Sequence, residues 1–264
     1  MNSESRQGGL DIDEVVRPPT DTYRILHVDD DSEWLDLAST FLEREQECFK
    51  IVTELSASDG LERLKNEEFD GAISDYEMPE VDGLEFLSDV RKQYPDLPFI
   101  LFTGKGSEEI ASEAISAGVT DYLQKRGSSD CYSLLANRLL NAIDRYHANQ
   151  QMVHAFKAIE TAREGISLLD EDGYFLYVNE AFAKTAGYSR DDLLDNHWEF
   201  LYPEDDVDII YDEILPTVPV EGRWSGVTTY VRKDGDRIQV DHALTYTEDG
   251  TLICLIREVS DHET

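Results

Sequence analysis

Basic residues are scarce in this chain. Its 264 residues carry 23 Lys+Arg against 57 Asp+Glu, a formal net charge of −34. A field of that sign repels phosphate backbones at long range, so nucleic-acid binding through a basic footprint is not expected. Long apolar runs are missing too. Stretches such as Leu252 to Ile256 fall far short of the ~20 residues that a membrane-crossing helix needs. The first twenty residues hold no apolar stretch of the kind that opens a secretory signal, and the expectation is a cytoplasmic protein. Cysteine is limited to Cys48, Cys131 and Cys254, far apart and without a CxxC pair. They read as reduced core residues rather than a zinc site or disulfide framework.

The acidity is spread evenly. Residues 1–149 carry a net charge of −18 and residues 150–264 a net charge of −16, and only 8 lysines stand in the whole chain. The composition resembles proteins of salt-loving, haloarchaeal cytoplasms, where carboxylate repulsion is screened once the Debye length falls to ~3 Å near molar salt. Most of the acidity is therefore expected to be solvated surface.

The length sets a prior of about two domains. Residues 1–20 lack periodicity and end in Arg17-Pro18-Pro19-Thr20, which predicts a disordered leader. From there, apolar runs at Tyr23 to Val28, Phe49 to Glu54, Gly71 to Ser74, Pro98 to Thr103 and Asp121 to Leu123 alternate with helically spaced stretches. Those are Ser32 to Glu45, Ser58 to Glu68, Leu84 to Gln93, Ser107 to Ala117 and Tyr132 to about Ala148. Strict alternation predicts an α/β domain over 21–146, a doubly wound parallel sheet with helices on both faces. Residues 147–163 continue as a helical linker. The 4-3-4-3 spacing of Leu135, Leu139, Ala142, Tyr146, Asn149, Val153 and Phe156 fits either packing on the first domain or a coiled-coil rod that pairs with a second copy. After Gly165 the pattern turns antiparallel. Strands at Ile166 to Asp170 and Tyr174 to Asn179 flank Glu171-Asp172-Gly173, helical pieces fill 180–214, and longer strands follow at Glu221 to Arg232, Arg237 to Thr247 and Thr251 to Ser260. This is an α+β domain over 164–264 with a five-stranded antiparallel sheet.

Chemistry concentrates at the carboxyl ends of the first domain's strands. Asp29 and Asp30 follow the first strand, Asp75 the third, Thr103-Gly104 the fourth, and Lys125 the fifth. Doubly wound sheets place their sites at this edge. Several carboxylates there form a hard oxygen site suited to Mg²⁺. A further carboxylate can attack phosphorus to give an acyl phosphate. Lys125 and the Thr103 hydroxyl would meet the new phosphoryl oxygens, and Gly104 leaves room for them.

With "FDGAISDYEMPEVDGLEFL" around Asp75 and "DYLQK" ending in Lys125, residues 22–146 resemble a response-regulator receiver domain. The resemblance implies a flavodoxin-like sheet in the order 2-1-3-4-5, with Asp75 as phosphoacceptor for a histidine kinase. It also implies Mg²⁺ held directly by Asp30, Asp75 and the backbone carbonyl of Glu77, with Asp29 acting largely through water, and Thr103 with Tyr122 as the switch pair. Such a protein is a phosphoacceptor with slow self-phosphotransfer and autodephosphorylation, not an enzyme. Glu77 and Lys105 would flank the attacking water and tune dephosphorylation. The family usually has Pro after the lysine in a cis bond, whereas Arg126 stands here, which puts the loop geometry in question. A phosphatase of the haloacid-dehalogenase type would use Asp29 as nucleophile, but its Asp-x-Asp-x-Thr/Val pattern breaks at Glu33.

Residues 153–262 resemble a PAS domain through "GISLLDEDGYFLYVNEAFAKTAGYSRDDLLDNHWEFLYPEDD", "GRWSGVTTYVRKDGDRIQVDHALTYTEDG" and "LICLIREVSDHE". Its ligand is open. A flavin adduct would need a cysteine near Trp198 and haem a histidine within 204–214; neither is present, so neither cofactor is expected. Phe182, Tyr188, Trp198, Phe200, Trp224 and Tyr230 are expected as core and rim, and His147 and His154 as solvent-facing residues. No kinase catalytic boxes or helix-turn-helix stand in the chain. The implied function is a two-component phosphorelay response regulator relaying to its PAS domain, with a homodimer through the linker or PAS domain as a further expectation. The alternatives are a PAS-based ligand-sensing module or a hybrid histidine kinase without its catalytic end.

Overall fold

The computed structural model describes residues 22–104, 108–125 and 130–259. The leader at 1–20, Lys105 and Arg126 lie outside the described residues. The chain divides into two compact units, Met1–Gln151 and Met152–Thr264.

In the first unit, β1 (Tyr23–Val28), β2 (Phe49–Glu54), β3 (Gly71–Ser74), β4 (Phe99–Thr103) and β5 (Asp121–Gln124) pair in parallel in the order β2-β1-β3-β4-β5. Between them run α1 (Ser32–Glu45), α2 (Ala57–Asn66), α3 (Gly83–Gln93) and α4 (Glu108–Ser116), and α5 (Asp130–Thr161) follows. Strands covered on both faces read as continuous apolar runs, and these do. Ile25, Ile73, Ile100 and Phe102 pack with Leu42, Leu135 and Leu139 on one face, while Leu26, Ala72, Phe99 and Leu101 pack with Leu64, Phe86 and Val90 on the other.

The helix starts are set by side-chain caps. Asp31 accepts from the backbone N–H groups of Glu33 and Trp34, Ser56 from Asp59, and Asp82 from Leu84 and Glu85. Ser56 takes the capping position, so α2 begins at Ala57 rather than at Ser58 as the spacing suggested. Along α5, Leu135 and Leu139 are buried in the first unit's core. That part of the seam is ordinary domain packing. Further along, Met152, Val153 and Phe156 are exposed at 70%, 60% and 51%.

In the second unit, β6 (Gly165–Leu169), β7 (Phe175–Val178), β8 (Trp224–Val231), β9 (Arg237–Tyr246) and β10 (Leu252–Glu258) form an antiparallel sheet in the order β7-β6-β10-β9-β8. The β6–β7 turn needs its glycine. Gly173 has φ +89°, and a Cβ there would stand 2.6 Å from His197 Nε2 and 2.7 Å from Trp198 Cδ1. Short helical pieces from Glu180 to Glu221 cover the inner face, where Phe182, Trp198 and Tyr230 are buried, Tyr188 and Trp224 partly buried, and Phe200 stands at the rim. Asn179 joins these layers. It caps α6 (Glu180–Ala186) through Phe182 N–H, accepts from Ile166 N–H, and donates its amide to the carbonyls of Ile159 and Glu164.

Candidate functional site: an acid cluster at the carboxyl edge of the parallel sheet

Parallel register decides what meets at this edge. Val28 pairs with Ser74, Ser74 with Leu101, and Thr103 with Gln124, so the residues after each strand emerge side by side. The Asp75 N–H donates to Val28 O at 2.9 Å and the Lys125 N–H to Thr103 O at 2.8 Å, which fixes both backbones where their side chains face the same point.

Lys125 joins the cluster. Its Nζ lies 2.5 Å from Asp29 Oδ2 and 2.7 Å from Asp75 Oδ1. The other oxygen of each carboxylate takes a backbone N–H. Asp31 N–H donates to Asp29 Oδ1 at 3.0 Å, and Glu77 N–H to Asp75 Oδ2 at 2.8 Å. Asp29 is 1% and Asp75 6% exposed, whereas Asp30 and the Glu77 side chain are exposed. Burial holds the Asp29 carboxyl above its ordinary pKa even against the lowering effect of Lys125. One ammonium between two buried carboxylates leaves a net negative charge at the cluster.

Thr103 is buried at the end of β4, and Gly104 follows it into open space, where a Cβ would meet nothing within 4 Å. Tyr122, on β5, is half-buried against the core on the α3 and α4 side. Behind the cluster, the His27 side chain is fully buried, and neither ring nitrogen has a hydrogen-bond partner among the described residues. Burial, with the nearby Lys125 charge, pushes its pKa down to about 3, so it is a neutral wall residue.

The donors fit a hard divalent cation. Carboxylates, a carbonyl and water are the ligands Mg²⁺ prefers, and it commonly takes only one or two protein carboxylates while keeping several waters. Asp29 and Asp75 already converge on a single cationic atom. Among the described residues no group of three His, Cys, Asp or Glu side chains forms a closed metal cage, and Asp30 lies at the rim. An open site with two carboxylates and water suits Mg²⁺ better than Zn²⁺.

Residues 25–133 match the family described as the response regulator receiver domain, and residues 163–261 match the PAS domain. The chain carries a receiver domain and, after it, a PAS domain. That organisation supports a two-component response regulator. The chain is similar to the response regulator SaeR of Staphylococcus aureus, at 26% identity over 190 residues, covering 69% of this chain and 82% of the relative. Among solved structures, a response regulator receiver domain protein of Clostridium thermocellum is 28% identical, with a TM-score of 0.43 over 48% of this chain and 98% of that one. A CheY-like receiver domain protein of Methanospirillum hungatei is 29% identical, with a TM-score of 0.44 over the same shares. A PAS domain of Colwellia psychrerythraea is 20% identical, with a TM-score of 0.40 over 42% of this chain and 98% of that one.

The PAS domain holds a second polar cluster, in its core. His242 Nε2 lies 2.8 Å from Cys254 Sγ, and His242 Nδ1 lies 3.2 Å from Thr228 Oγ1 and 3.3 Å from Tyr202 OH. Tyr202 OH in turn donates to Tyr230 OH at 3.3 Å. Burial pushes His242 down to about 3 and the Cys254 thiol up to about 12, so both are neutral. A cavity of about 20 Å³ remains, lined by residues that include Phe175, Trp198, Tyr202 and His242. That is room for about one water.

This cluster was not among the sequence-based expectations. Period-2 alternation could have found it, since His242 shares its face with Val240 and Leu244, and Cys254 shares its face with Leu252 and Ile256. His147, expected to face solvent, does not. His147 is half-buried, with Nε2 2.8 Å from Asp70 Oδ1 and its ring stacked on Tyr23 at 5.6 Å. His154 is exposed as expected.

Proposed function

We propose that this response regulator accepts a phosphoryl group on Asp75 from the phosphohistidine of a histidine kinase. The observation that carries the reading is Lys125 Nζ shared between Asp29 and Asp75 at the edge where Thr103 and Gly104 also end. An Asp75 carboxylate oxygen forms the bond to phosphorus while the phosphorus–nitrogen bond of the kinase imidazole breaks, and nitrogen keeps the electron pair. The result is an acyl phosphate. Lys125 then balances one phosphoryl oxygen, the Thr103 hydroxyl donates to another, and Gly104 leaves space for the group. Asp29 and Asp75, with Asp30 at the rim and the Glu77 carbonyl, would hold Mg²⁺, which supplies the remaining positive charge when bound.

The protein is a signalling phosphoacceptor rather than a turnover enzyme. Movement of Thr103 and Tyr122 toward the acyl phosphate would alter the α4 face and α5, and so what the PAS domain presents to its partner. The exposed Met152, Val153 and Phe156 of α5 support pairing with a second copy. The −34 charge supports a salt-adapted protein of a cytoplasm rich in ions. In the core of the PAS domain, polar groups that hydrogen-bond one another around a water-sized cavity leave little room for a buried ligand, which favours a transmitting module.

Phosphotransfer from candidate kinases, with Asp75→Ala as control in high-salt buffer, tests the reading. Label on the wild type and none on the variant is expected. Label that survives Asp75→Ala but is lost in Asp29→Ala would point instead to an aspartyl phosphatase and overturn it.

A further inference from the structure

Trp34 stands on the first turn of α1, where its backbone N–H donates to the Asp31 cap at 3.1 Å. Its ring packs on Phe102 at 6.5 Å and Tyr132 at 6.0 Å between centroids. The Lys125 Nζ lies 5.2 Å from its ring centroid. Trp34 Nε1 is buried and has no hydrogen-bond partner among the described residues. Leucine or phenylalanine would fill this wedge without burying an orphaned N–H, which is an unfavourable thing to keep. What tryptophan alone adds is the strongest π face for a cation.

We infer that Trp34 is a positioning residue for Lys125. Its indole face holds the ammonium beside Asp29 and Asp75, so that the cation meets the phosphoryl group on Asp75 without first being ordered. The ammonium is otherwise on a flexible four-carbon stem, free to leave its partners for water. A third contact of different character narrows that freedom. The effect expected of such a contact, partly desolvated, is about 2- to 30-fold in any equilibrium that needs Lys125 in place.

The inference rests on the phosphoacceptor reading, and its test separates the two. Site-specific replacement of Trp34 by mono-, di- and trifluorotryptophan weakens the ring's negative face with little change in shape. Beryllofluoride affinity is measured for each full-length protein in Mg²⁺ and high salt, beside Trp34→Phe and Trp34→Leu. A stepwise loss with fluorination, Phe intermediate and Leu weakest, is expected. A flat series with wild-type affinity overturns the inference. In metal-free protein, a double-mutant cycle of Trp34→Leu with Lys125→Met is read by chemical denaturation. Non-additive losses are expected, and strict additivity overturns the pairing. If wild-type protein fails to bind beryllofluoride, the phosphoacceptor reading fails, and the metal-free cycle still decides the contact.

Discussion

Substituting Gly83 by alanine isolates the fit between α3 and the phosphoacceptor. Gly83 does not have a positive φ, so alanine is not excluded by backbone conformation. Space decides. A Cβ there would stand 2.2 Å from the Asp75 carbonyl oxygen, 2.9 Å from Leu101 Cδ2 and 3.0 Å from Tyr76 Cα. Relief needs a shift of about 1 Å to reach ordinary van der Waals separation. Two of the three neighbours are backbone, and the Asp75 carbonyl already accepts from Ser74 Oγ at 2.7 Å. Asp75 is therefore the atom group that must move or push back. Overpacking of this kind costs about 1–3 kcal/mol, against a gain of about 0.5–1 kcal/mol from replacing glycine in a helix. A net loss of about 1–2 kcal/mol would lower the receiver's melting temperature by about 3–8 °C. A reacting carboxylate displaced by about 1 Å loses about 10²-fold in rate. Calorimetry and phosphotransfer kinetics on Gly83→Ala read both. An unchanged or raised melting temperature together with wild-type phosphotransfer would show that Gly83 does not seat the Asp75 carbonyl.

Three other outcomes follow from the same contacts. Lys125→Met leaves Asp29 and Asp75 buried without their cation; in metal-free protein at pH 7 this should cost about 3–5 kcal/mol, measured by denaturant titration. Burial already raises the Asp29 carboxyl against the lowering effect of Lys125, so with that cation gone the loss should shrink as pH falls, and Mg²⁺ should restore part of it. His27 and His242 both have folded-state pKa values pushed down to about 3, so the unfolded chain takes up protons first as pH falls below about 6.5. Each should then cost its own domain about 2 kcal/mol between pH 7 and pH 5, and His242→Gln should flatten that loss in the PAS domain alone, as read by domain-resolved hydrogen exchange. With a net charge of −34 spread over both domains, raising potassium chloride from 0.15 M to molar concentration should raise both unfolding midpoints, and a fall would contradict the salt-adapted reading.

Much of the receiver was legible because its signals are local or periodic. The apolar runs of β1 to β5 alternate with helically spaced stretches, whereas the Ser56 cap leaves no such periodic mark, and spacing alone starts α2 at Ser58 instead of Ala57. The acid cluster was legible for a topological reason. Asp29 and Lys125 are 96 residues apart, yet both follow strands of one parallel sheet and so share its carboxyl edge. Contacts without such a rule left no trace. The His147–Asp70 pair spans 77 residues between α5 and the loop before β3, and nothing in either segment's spacing marks the partner. Trp34 under Lys125 was likewise invisible, because a tryptophan one turn into an amphipathic helix reads as core. The Gly83 contact was half-legible. Gly83 lies within the quoted segment around Asp75, but only the packing reveals that it admits the Asp75 carbonyl.

Asp75 is the residue expected to take the phosphoryl group, with Lys125 beside it. Full-length protein is incubated with a phosphorylated histidine kinase and Mg²⁺ in high salt, then digested and mapped by mass spectrometry. A single hydroxylamine-labile phosphoryl group on the peptide that carries Asp75, absent from Asp75→Asn and slowed in Lys125→Met, is expected. A stable adduct elsewhere, or equal labelling of Asp75→Asn, would rule Asp75 out as the acceptor.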